Sequence, residues 1–249
     1  LLERSLLPSM RTRLCAILSQ NVLLIGLCFY DLGHYETARA YFQRAREAAN
    51  EGNTYTLQAL TWGWDSLAWS YSAASEKRYE YALQSALQAN HWASLEADDA
   101  VQCWAQANLA EVYAHLNRKD ECLTTLAALR KRNGYASGDF YYIHQFNDSL
   151  LDGYQGECLQ QLYLPGRPDT RPLLDDAEHI LQQALSASHG TATCSAFYTV
   201  DMARVQARKG EVGVACEYGK QTIEMFPSYP SASLQQRLVS LRLLLEPYK

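Results

Sequence analysis

The sequence predicts an all-α protein built from about five helical hairpins and one closing helix. A small residue stands five positions after each of several turn sequences, often with a bulky residue four positions further on and a small or apolar residue seven further on. These small residues, called anchors below, are Ala38, Ala82, Cys122, Ala177 and Ala215. No alternation of apolar and polar residues between turns is sustained, so we expect no sheet. Repetition on this scale indicates stacked hairpins that bury their apolar faces against one another.

The elements follow from the turns between them. We expect a single domain over residues 1–249, with hairpins at about 9–50, 54–94, 98–131, 138–188 and 191–226 and a closing helix at 231–245. The position five before an anchor holds Gly33, Asn117 or Gly210 in three hairpins. Glycine and asparagine enter the left-handed region of backbone space at low cost. Lys77 and Pro172 hold that position in the other two hairpins, and the helix register of the fourth hairpin stays open.

The closing helix is expected to pack through one apolar stripe. Two prolines, Pro227 and Pro230, end the fifth hairpin before this helix begins. The stripe consists of Leu234, Leu238, Leu241 and Leu245. Helical spacing of this kind is typical of a helix that covers the end of a stack.

The composition argues against several classes of partner. A net charge of −5 at pH 7 provides no basic surface for phosphates, so we expect no direct nucleic-acid binding by this segment. The longest apolar run, residues 22–30, is shorter than the roughly 18 residues of a membrane helix, so we expect no membrane partner. The chain begins Leu-Leu-Glu-Arg without an initiator methionine, and we expect it to be part of a longer protein.

The cysteines indicate a reducing compartment. There are seven, an odd number, and no two of them form a Cys-x-x-Cys pair. Cys28, Cys122 and Cys216 fall on apolar helical positions, where we expect them to be buried as small hydrophobic side chains. Unpaired, buried cysteines are usual in the cytoplasm, which is the compartment we predict.

At these positions the chain resembles the tetratricopeptide repeat (TPR) family. The family pattern places a small residue, an aromatic three later, an alanine at +12, an aromatic at +16 and an alanine at +19. The first hairpin matches it with Gly26, Phe29, Ala38, Phe42 and Ala45. The third hairpin matches less well, with Ala110, Tyr113, Cys122, Leu126 and Leu129. The resemblance implies a right-handed α-solenoid of TPR-like hairpins that binds a peptide or protein ligand and needs no cofactor.

A narrower resemblance concerns the role of such a solenoid. Long helices, aromatic-rich first helices and the ending 241–248 are similar to the C-terminal repeat region of bacterial transcription regulators that carry a helix-turn-helix domain before the repeats. No helix-turn-helix domain is visible in this sequence. The resemblance implies the ligand-sensing region of a larger cytoplasmic regulator.

The candidate ligand-binding residues come from the same family. In TPR proteins the first helix of each hairpin lines the concave face, and mapping those positions gives a predicted groove. Its residues are Tyr30, Trp64, Tyr71, Trp104, Asn108, Glu111, His115, Asn147, Asp201, Arg204 and Arg208. Aromatic rings offer contact area, amides pair with a peptide backbone, and arginines bind carboxylates. The alternative, that Trp64, Trp104 and Tyr71 simply pack between neighbouring helices, stays open.

The groove hypothesis carries an expectation about exposure. If Asn108 and Arg204 face a ligand, their replacement by alanine should change the stability by less than about 1 kcal/mol, as is usual for exposed side chains.

No catalytic motif is present. The sequence lacks His-Glu-x-x-His, Gly-x-Ser-x-Gly and a glycine-rich phosphate loop, and its six histidines are scattered. We therefore expect no enzyme activity, no metal and no cofactor.

Two functions remain in competition. One is a ligand-sensing module, and the other is a constitutive scaffold or dimerisation module without a small ligand. A homodimer of the second kind would use an exposed apolar face, for which Val239 and Leu243 on the closing helix are candidates.

Overall fold

The computed structural model describes residues 7–72, 77–95, 99–132, 146–187, 192–228 and 230–248. Within these residues the chain forms eleven α-helices and three short 3-10 helices, and no strand occurs there. The prediction of an all-α protein is therefore confirmed for the described part of the chain. The solenoid arrangement and the single domain stay predictions.

The described residues fall into two compact units. Unit 1 contains residues 7–112, and unit 2 contains residues 113–132 and 146–248. The helices of unit 1 are α1 (Pro8–Asp31), α2 (Tyr35–Glu51), α3 (Tyr55–Tyr71), α4 (Arg78–Ser94) and most of α5 (Asp99–His115). Those of unit 2 are α6 (Lys119–Arg130), α7 (Asp148–Gln161), α8 (Pro172–Ala187), α9 (Ala192–Lys209), α10 (Val212–Met225) and α11 (Ala232–Leu245). The 3-10 helices are Pro168–Thr170, Phe226–Ser228 and Glu246–Tyr248.

Unit 1 is a series of helices packed in chain order. Helix α1 packs on α2, α2 on α3, and α3 on α4. The anchors Ala38 and Ala82 are completely buried. A β-carbon added to Gly26 would lie 2.6 Å from the ring of Phe42, which is itself completely buried. Small residues at these crossings thus let the helices approach closely, and large apolar side chains fill the space beside them.

Unit 2 repeats this arrangement. Helix α7 packs on α8, α8 on α9, and both α10 and α11 pack on α9. The anchors Cys122, Ala177 and Ala215 are completely buried. On the closing helix α11, Leu234 and Leu241 are buried against α9 and the remaining leucines of the predicted stripe are partly buried beside them, so the stripe packs as expected.

Three of the predicted turns share one backbone arrangement, which the turn at Asn53 also adopts. Gly33, Asn117 and Gly210 have φ angles of 80°, 55° and 88°. In each case the N–H of the positive-φ residue donates to the carbonyl three positions earlier, and the next N–H donates to the carbonyl five positions earlier. These bonds satisfy carbonyls at the helix end. The expectation that these residues adopt left-handed backbone is confirmed, whereas Lys77, at the same position, has φ of −88°.

Two expectations about composition are corrected by the structure. Cys28 and Cys216 are exposed, because each lies on the face of its helix that turns away from the core; only Cys122 of the three is buried.

Helix α1 also contains an 18-residue window of mean hydropathy 1.6, so by length and composition it is long and apolar enough to cross a membrane. In the protein, 28% of that window is buried. The window extends well beyond the apolar run at 22–30, because isolated polar residues interrupt it without lowering its mean hydropathy far.

The close crossing of α3 and α5 at Gly63 provides a test of the packing. A β-carbon on Gly63 would lie 2.3 Å from the ring of Trp104. We expect Gly63→Ala to lower the free energy of unfolding by about 1–3 kcal/mol, because the ring must shift within a filled core. Urea denaturation followed by far-UV circular dichroism measures this change.

Gly213→Ala is the matched control, since nothing lies within 4 Å of a β-carbon at that helical position. Alanine there should stabilise the helix by up to about 1 kcal/mol. Equal effects of the two substitutions would contradict the tight crossing at Gly63.

Candidate ligand-binding site

Unit 1 contains an open cleft of about 800 Å³ between α2, α3 and α4. We call it the Arg–Trp cleft. Its walls are Glu36, Arg39, Ala40, Gln43 and Arg46 from α2, Trp62, Asp65 and Trp69 from α3, and Tyr81, Gln84, Ser85, Leu87 and Gln88 from α4. The lining therefore combines aromatic rings, amides and charges of both signs.

Helical spacing explains why these residues share one surface. On α3, Trp62, Asp65 and Trp69 follow one another at intervals of three and four residues, so they form a stripe along one face. On α2, Arg39 and Arg46 are also seven residues apart and lie on one face. The two stripes run beside one another because α2 packs on α3.

Two arginines of the cleft stack on two tryptophans. The guanidinium carbon of Arg39 lies 3.2 Å from the ring centroid of Trp69, and that of Arg46 lies 3.9 Å from the ring centroid of Trp62. Tyr81 continues the first stack, with its ring centroid 4.7 Å from that of Trp69. Cation–π contact holds each planar guanidinium in a fixed orientation, which prepares its edge for a ligand.

Asp65 balances the charge of Arg39 at the base of the cleft. Its side chain is buried, accepts a 2.7 Å hydrogen bond from Ser85 Oγ, and places Oδ1 3.4 Å from Arg39 Nε. Burial lowers the pKa of Arg39, and Asp65 offsets part of that effect. The buried Nε of Arg39 has no hydrogen-bond partner among the described residues. Arg39 and Asp65 thus bring opposite charges together, while the Nε–H group of Arg39 makes no hydrogen bond within the described residues.

Arg46 makes no ion pair with Asp65, although the charge of Asp65 offsets part of the effect of burial on its pKa. Its Nη1 donates to the Thr61 carbonyl at 3.3 Å, and no described carboxylate lies within ion-pair distance of its guanidinium. Burial lowers its pKa, but an arginine keeps its charge at neutral pH. Arg46 is therefore a preoriented cation suited to an anionic group of a ligand.

The predicted aromatic groove residues lie elsewhere in unit 1 and contact one another. Tyr30 makes edge-to-face contacts with Trp64 and Tyr71, at centroid distances of 5.4 and 6.2 Å, and Trp64 lies 5.5 Å from Trp104. Tyr30 and Trp104 are buried, and the other two are half-buried. These four rings pack between neighbouring helices, as the alternative interpretation allowed. All five tryptophans of the chain, Trp62, Trp64, Trp69, Trp92 and Trp104, belong to unit 1.

Asn108 and Glu111 of the predicted groove are buried. The Asn108 amide donates to the Gly63 carbonyl at 2.9 Å and accepts from Ser66 Oγ at 3.3 Å. Its hydrogen bonds therefore join α5 to α3. The expectation that Asn108 is exposed is wrong, because a polar side chain at this packed position is satisfied by neighbouring helices.

Three other predicted residues, Asp201, Arg204 and Arg208, lie on α9 in unit 2. Arg204 Nη1 donates to Asp201 Oδ1 at 3.0 Å and to Glu157 Oε2, on α7, at 2.9 Å. Arg237 on α11 hydrogen-bonds Asp201 Oδ2 and lies 3.4 Å from Glu157 Oε2. We call these four charged residues (Glu157, Asp201, Arg204 and Arg237) the buried ion cluster. Since Arg204 is almost completely buried, the expectation that it is exposed is wrong as well.

Glu157 and Arg237 are not among the residues predicted from the sequence. Glu157 lies in the fourth hairpin, whose register was open, and Arg237 lies beside the apolar stripe of the closing helix. Within the cluster, burial raises the pKa of Asp201 to about 7, and the neighbouring Glu157 charge adds to this effect. The Arg204 and Arg237 guanidiniums overcome burial at Glu157 and hold its pKa well below the ordinary value.

The remaining predicted residues have separate positions in unit 2. Asn147 caps α7, where its side chain accepts a 3.0 Å hydrogen bond from Leu150 N. Arg208 donates to the carbonyl and side-chain oxygens of Gln160. His115 is half-buried at the end of α5 and contributes to the lowered pKa of Glu157. Their role in ligand binding stays a prediction.

No cluster of three or more His, Cys, Asp or Glu side chains in the described part of the chain is arranged to hold a metal ion. Comparison with known proteins found no matching family model and no matching curated protein.

The burial of Asn108 leads to a revised expectation for its replacement. Asn108→Ala should lower the free energy of unfolding by about 1–3 kcal/mol, because it removes two buried hydrogen bonds and leaves the Gly63 carbonyl without that donor. Far-UV circular dichroism in urea measures the loss. Asn50→Ala, at an exposed position of α2, is the control and should stay within about 0.5 kcal/mol. A similarly small effect at Asn108 would contradict its structural role.

The buried ion cluster predicts a pH dependence. The pKa of Asp201 is higher in the folded state, about 7, than in the unfolded chain, about 4, so folding takes up a proton between these values. The contribution of Asp201 to stability therefore falls as the pH rises from about 4 to about 7. Asp201→Asn cannot titrate and should flatten the slope of unfolding free energy against pH over this range.

Urea denaturation at a series of pH values, followed by far-UV circular dichroism, checks this slope. Asp176→Asn, at an exposed position of α8, should leave it unchanged. If Asp201→Asn and the parent chain have parallel profiles, Asp201 does not titrate in the proposed way.

Proposed function

We propose that this protein is a non-catalytic helical-repeat module that binds a peptide segment of a partner protein in the Arg–Trp cleft. The observation that carries this proposal is the pair of guanidiniums stacked on indoles along one open cleft of about 800 Å³. Aromatic rings and arginines dominate the residues that contribute most to protein–protein binding. Here both types are already held in place before a ligand arrives.

The chemistry of the lining indicates which peptides fit. The edge of the Arg46 guanidinium suits a carboxylate, which it can bind through two parallel hydrogen bonds. The half-buried rings of Trp62 and Trp69, together with the exposed ring of Tyr81, suit an apolar side chain. Gln43, Gln84 and Gln88 carry amides that donate to and accept from a peptide backbone. We therefore propose a ligand with an acidic residue close to an apolar one.

The wider role that we propose is that of a sensor. The repeated anchors and the match of the first hairpin to the family pattern support a right-handed TPR-like solenoid. The long helices and aromatic-rich first helices support a role as the sensing region of a bacterial cytoplasmic regulator. A ligand could act on such a regulator only by binding one conformation of the repeats more tightly than another. The cleft lies among three successive helices, so a bound peptide would contact all of them.

A constitutive scaffold is the second candidate. Val239 and Leu243 on the closing helix are about half exposed and provide the apolar face that this hypothesis requires. The scaffold hypothesis predicts no peptide binding in the cleft, which makes the two functions separable.

Selection from a phage-displayed random peptide library, followed by calorimetry with the selected peptide, tests the cleft. We expect Arg46→Ala to weaken binding about 30-fold or more, because it leaves the peptide carboxylate desolvated without its partner. Raised salt should weaken binding of the same peptide to the parent chain.

Arg44→Ala is the matched control, since Arg44 is exposed on the same helix and also lies near an aromatic ring, that of Tyr41. Its affinity should stay within about twofold of the parent. Peptide selection that fails, or binding that Arg46→Ala leaves intact while circular dichroism shows a folded chain, would refute the cleft as the binding site.

A further inference from the structure

Helix α1 has a second apolar face, opposite to the one that packs on α2. Its buried stripe consists of Cys15, Ser19, Leu23, Gly26 and Tyr30. The opposite side, extended by the residue that follows the helix, exposes Met10, Leu14, Ile17, Leu18, Leu24, Ile25 and Leu32, with exposed fractions between 38% and 68%. A contiguous apolar face of this length is unusual on a free surface and marks an interaction site.

The spacing on this face is that of a helix–helix seam. Successive intervals of four, three, four, three and four residues connect Met10, Leu14, Ile17, Asn21, Leu24 and Cys28. Alternation of four and three keeps one stripe facing a partner helix and is typical of coiled-coil packing. The face therefore fits a single straight helix about 36 Å long, the length of α1 itself.

Asn21 indicates which helix this is. It is exposed at the centre of the face, and its amide donates to the Ile17 carbonyl at 2.8 Å, so its oxygen can still accept another bond. An asparagine within an apolar seam is satisfied best by a second asparagine at the same level. We propose that α1 pairs antiparallel with α1 of a second copy of this chain, about a two-fold axis at Asn21.

Two-fold pairing places residues at equal distances from Asn21 opposite one another. Leu14 then faces Cys28 of the second copy, and Ile17 faces Ile25 of the second copy. Each of these contacts occurs twice, since the interface uses the same surface on both chains. The apolar residues of one half of α1 are thus matched by those of the other half.

The charges at the two ends of α1 favour the antiparallel orientation. Arg13 and Asp31 lie on the same flank of the face and almost equally far from Asn21. Antiparallel pairing brings Arg13 of each copy beside Asp31 of the other, whereas parallel pairing leaves the two Arg13 side chains at one end of the pair and both Asp31 side chains at the other. The helix dipoles also favour the antiparallel arrangement.

The area of the face is sufficient for a specific dimer. With two-fifths to two-thirds of each large apolar side chain exposed, the face offers on the order of 600 Å² per copy. The two copies together would bury on the order of 1,200 Å², the lower end of the range for stable protein interfaces. The face shares no residue with the Arg–Trp cleft.

Contacts on the other side of α1 favour a protein partner over lipid. Two side chains of α1 bind residues of α2. Ser19 Oγ donates to the Ala45 carbonyl at 2.8 Å, and Arg11 forms a 2.7 Å ion pair with Glu51. Spanning a bilayer would break these contacts and expose Ser19 and Arg11 to hydrocarbon. A second helix covers the apolar face without disturbing them.

Sedimentation velocity of the purified chain over a range of concentrations tests the pairing. We expect a monomer–dimer equilibrium in the micromolar range or tighter, and Ile17→Glu should raise the dissociation constant at least about 100-fold by placing two charges in the seam. Ile223→Glu is the control, because Ile223 is 61% exposed on α10 and lies outside the proposed interface. Its dissociation constant should match that of the parent.

Four further variants test the orientation. Arg13→Asp and Asp31→Arg should each weaken the dimer, and the double exchange should restore it, because each new charge again meets its opposite. Leu14→Cys should form an intermolecular disulfide to Cys28 under mild oxidation, identified by peptide mass spectrometry. A parallel pair would instead cross-link Cys28 to itself in the parent chain.

Three results would overturn the proposal. The first is a chain that stays monomeric throughout the micromolar range, and the second is a dimer that tolerates Ile17→Glu. The third is flotation of the parent, but not of Ile17→Glu, with phosphatidylcholine–phosphatidylglycerol vesicles in the absence of any dimer, which would assign the face to a membrane surface.

Discussion

The contact of the Trp104 ring with the backbone of Gly63 determines much of unit 1. Because residue 63 has no β-carbon, α5 approaches α3 closely enough for the ring to occupy that space. Trp64 then packs beside Trp104, and Asn108 reaches the Gly63 carbonyl. With one side of α3 held in this way, its other side must present Trp62, Asp65 and Trp69 to α2 and α4. The cleft therefore depends on a glycine that does not line it.

The repeat architecture was largely visible in the sequence, because it follows from local rules. A small residue is needed where two helices cross, and all five anchors are completely buried. A residue that accepts positive φ is needed where a helix turns back, and Gly33, Asn117 and Gly210 supply it. Both requirements act over a few residues, so spacing alone reveals them. The hydrophobic stripe of the closing helix is visible for the same reason.

The candidate site was not visible in this way. The family pattern pointed to the first helices of the hairpins, whereas the cleft also uses α2 and α4, whose polar residues resemble an ordinary solvated face. A usable signal did exist in the paired spacings, since Arg39 and Arg46 are seven residues apart and Trp62 and Trp69 are as well. Because the two arginines and the two tryptophans have the same spacing on neighbouring helices, each arginine can stack on one tryptophan.

Polar residues in the repeats were the main source of error. Asn108 and Arg204 follow the helical pattern of a groove, but periodicity cannot distinguish a side chain that faces a ligand from one that is satisfied inside the protein. Asn108 is satisfied by α3, and Arg204 by carboxylates from α7 and α9. The exposed Cys28 was misjudged for a related reason, since α1 is apolar on both sides and its pattern does not show which side is buried.

The position of the tryptophans has a consequence for spectroscopy. All five belong to unit 1, so intrinsic indole fluorescence reports the state of that unit, while unit 2 contributes none of this emission. Far-UV circular dichroism reports the helices of both units. The two optical signals will follow one curve during denaturation if the units melt together and separate curves if they melt independently. The chain thus carries a natural label that distinguishes its two halves without any dye.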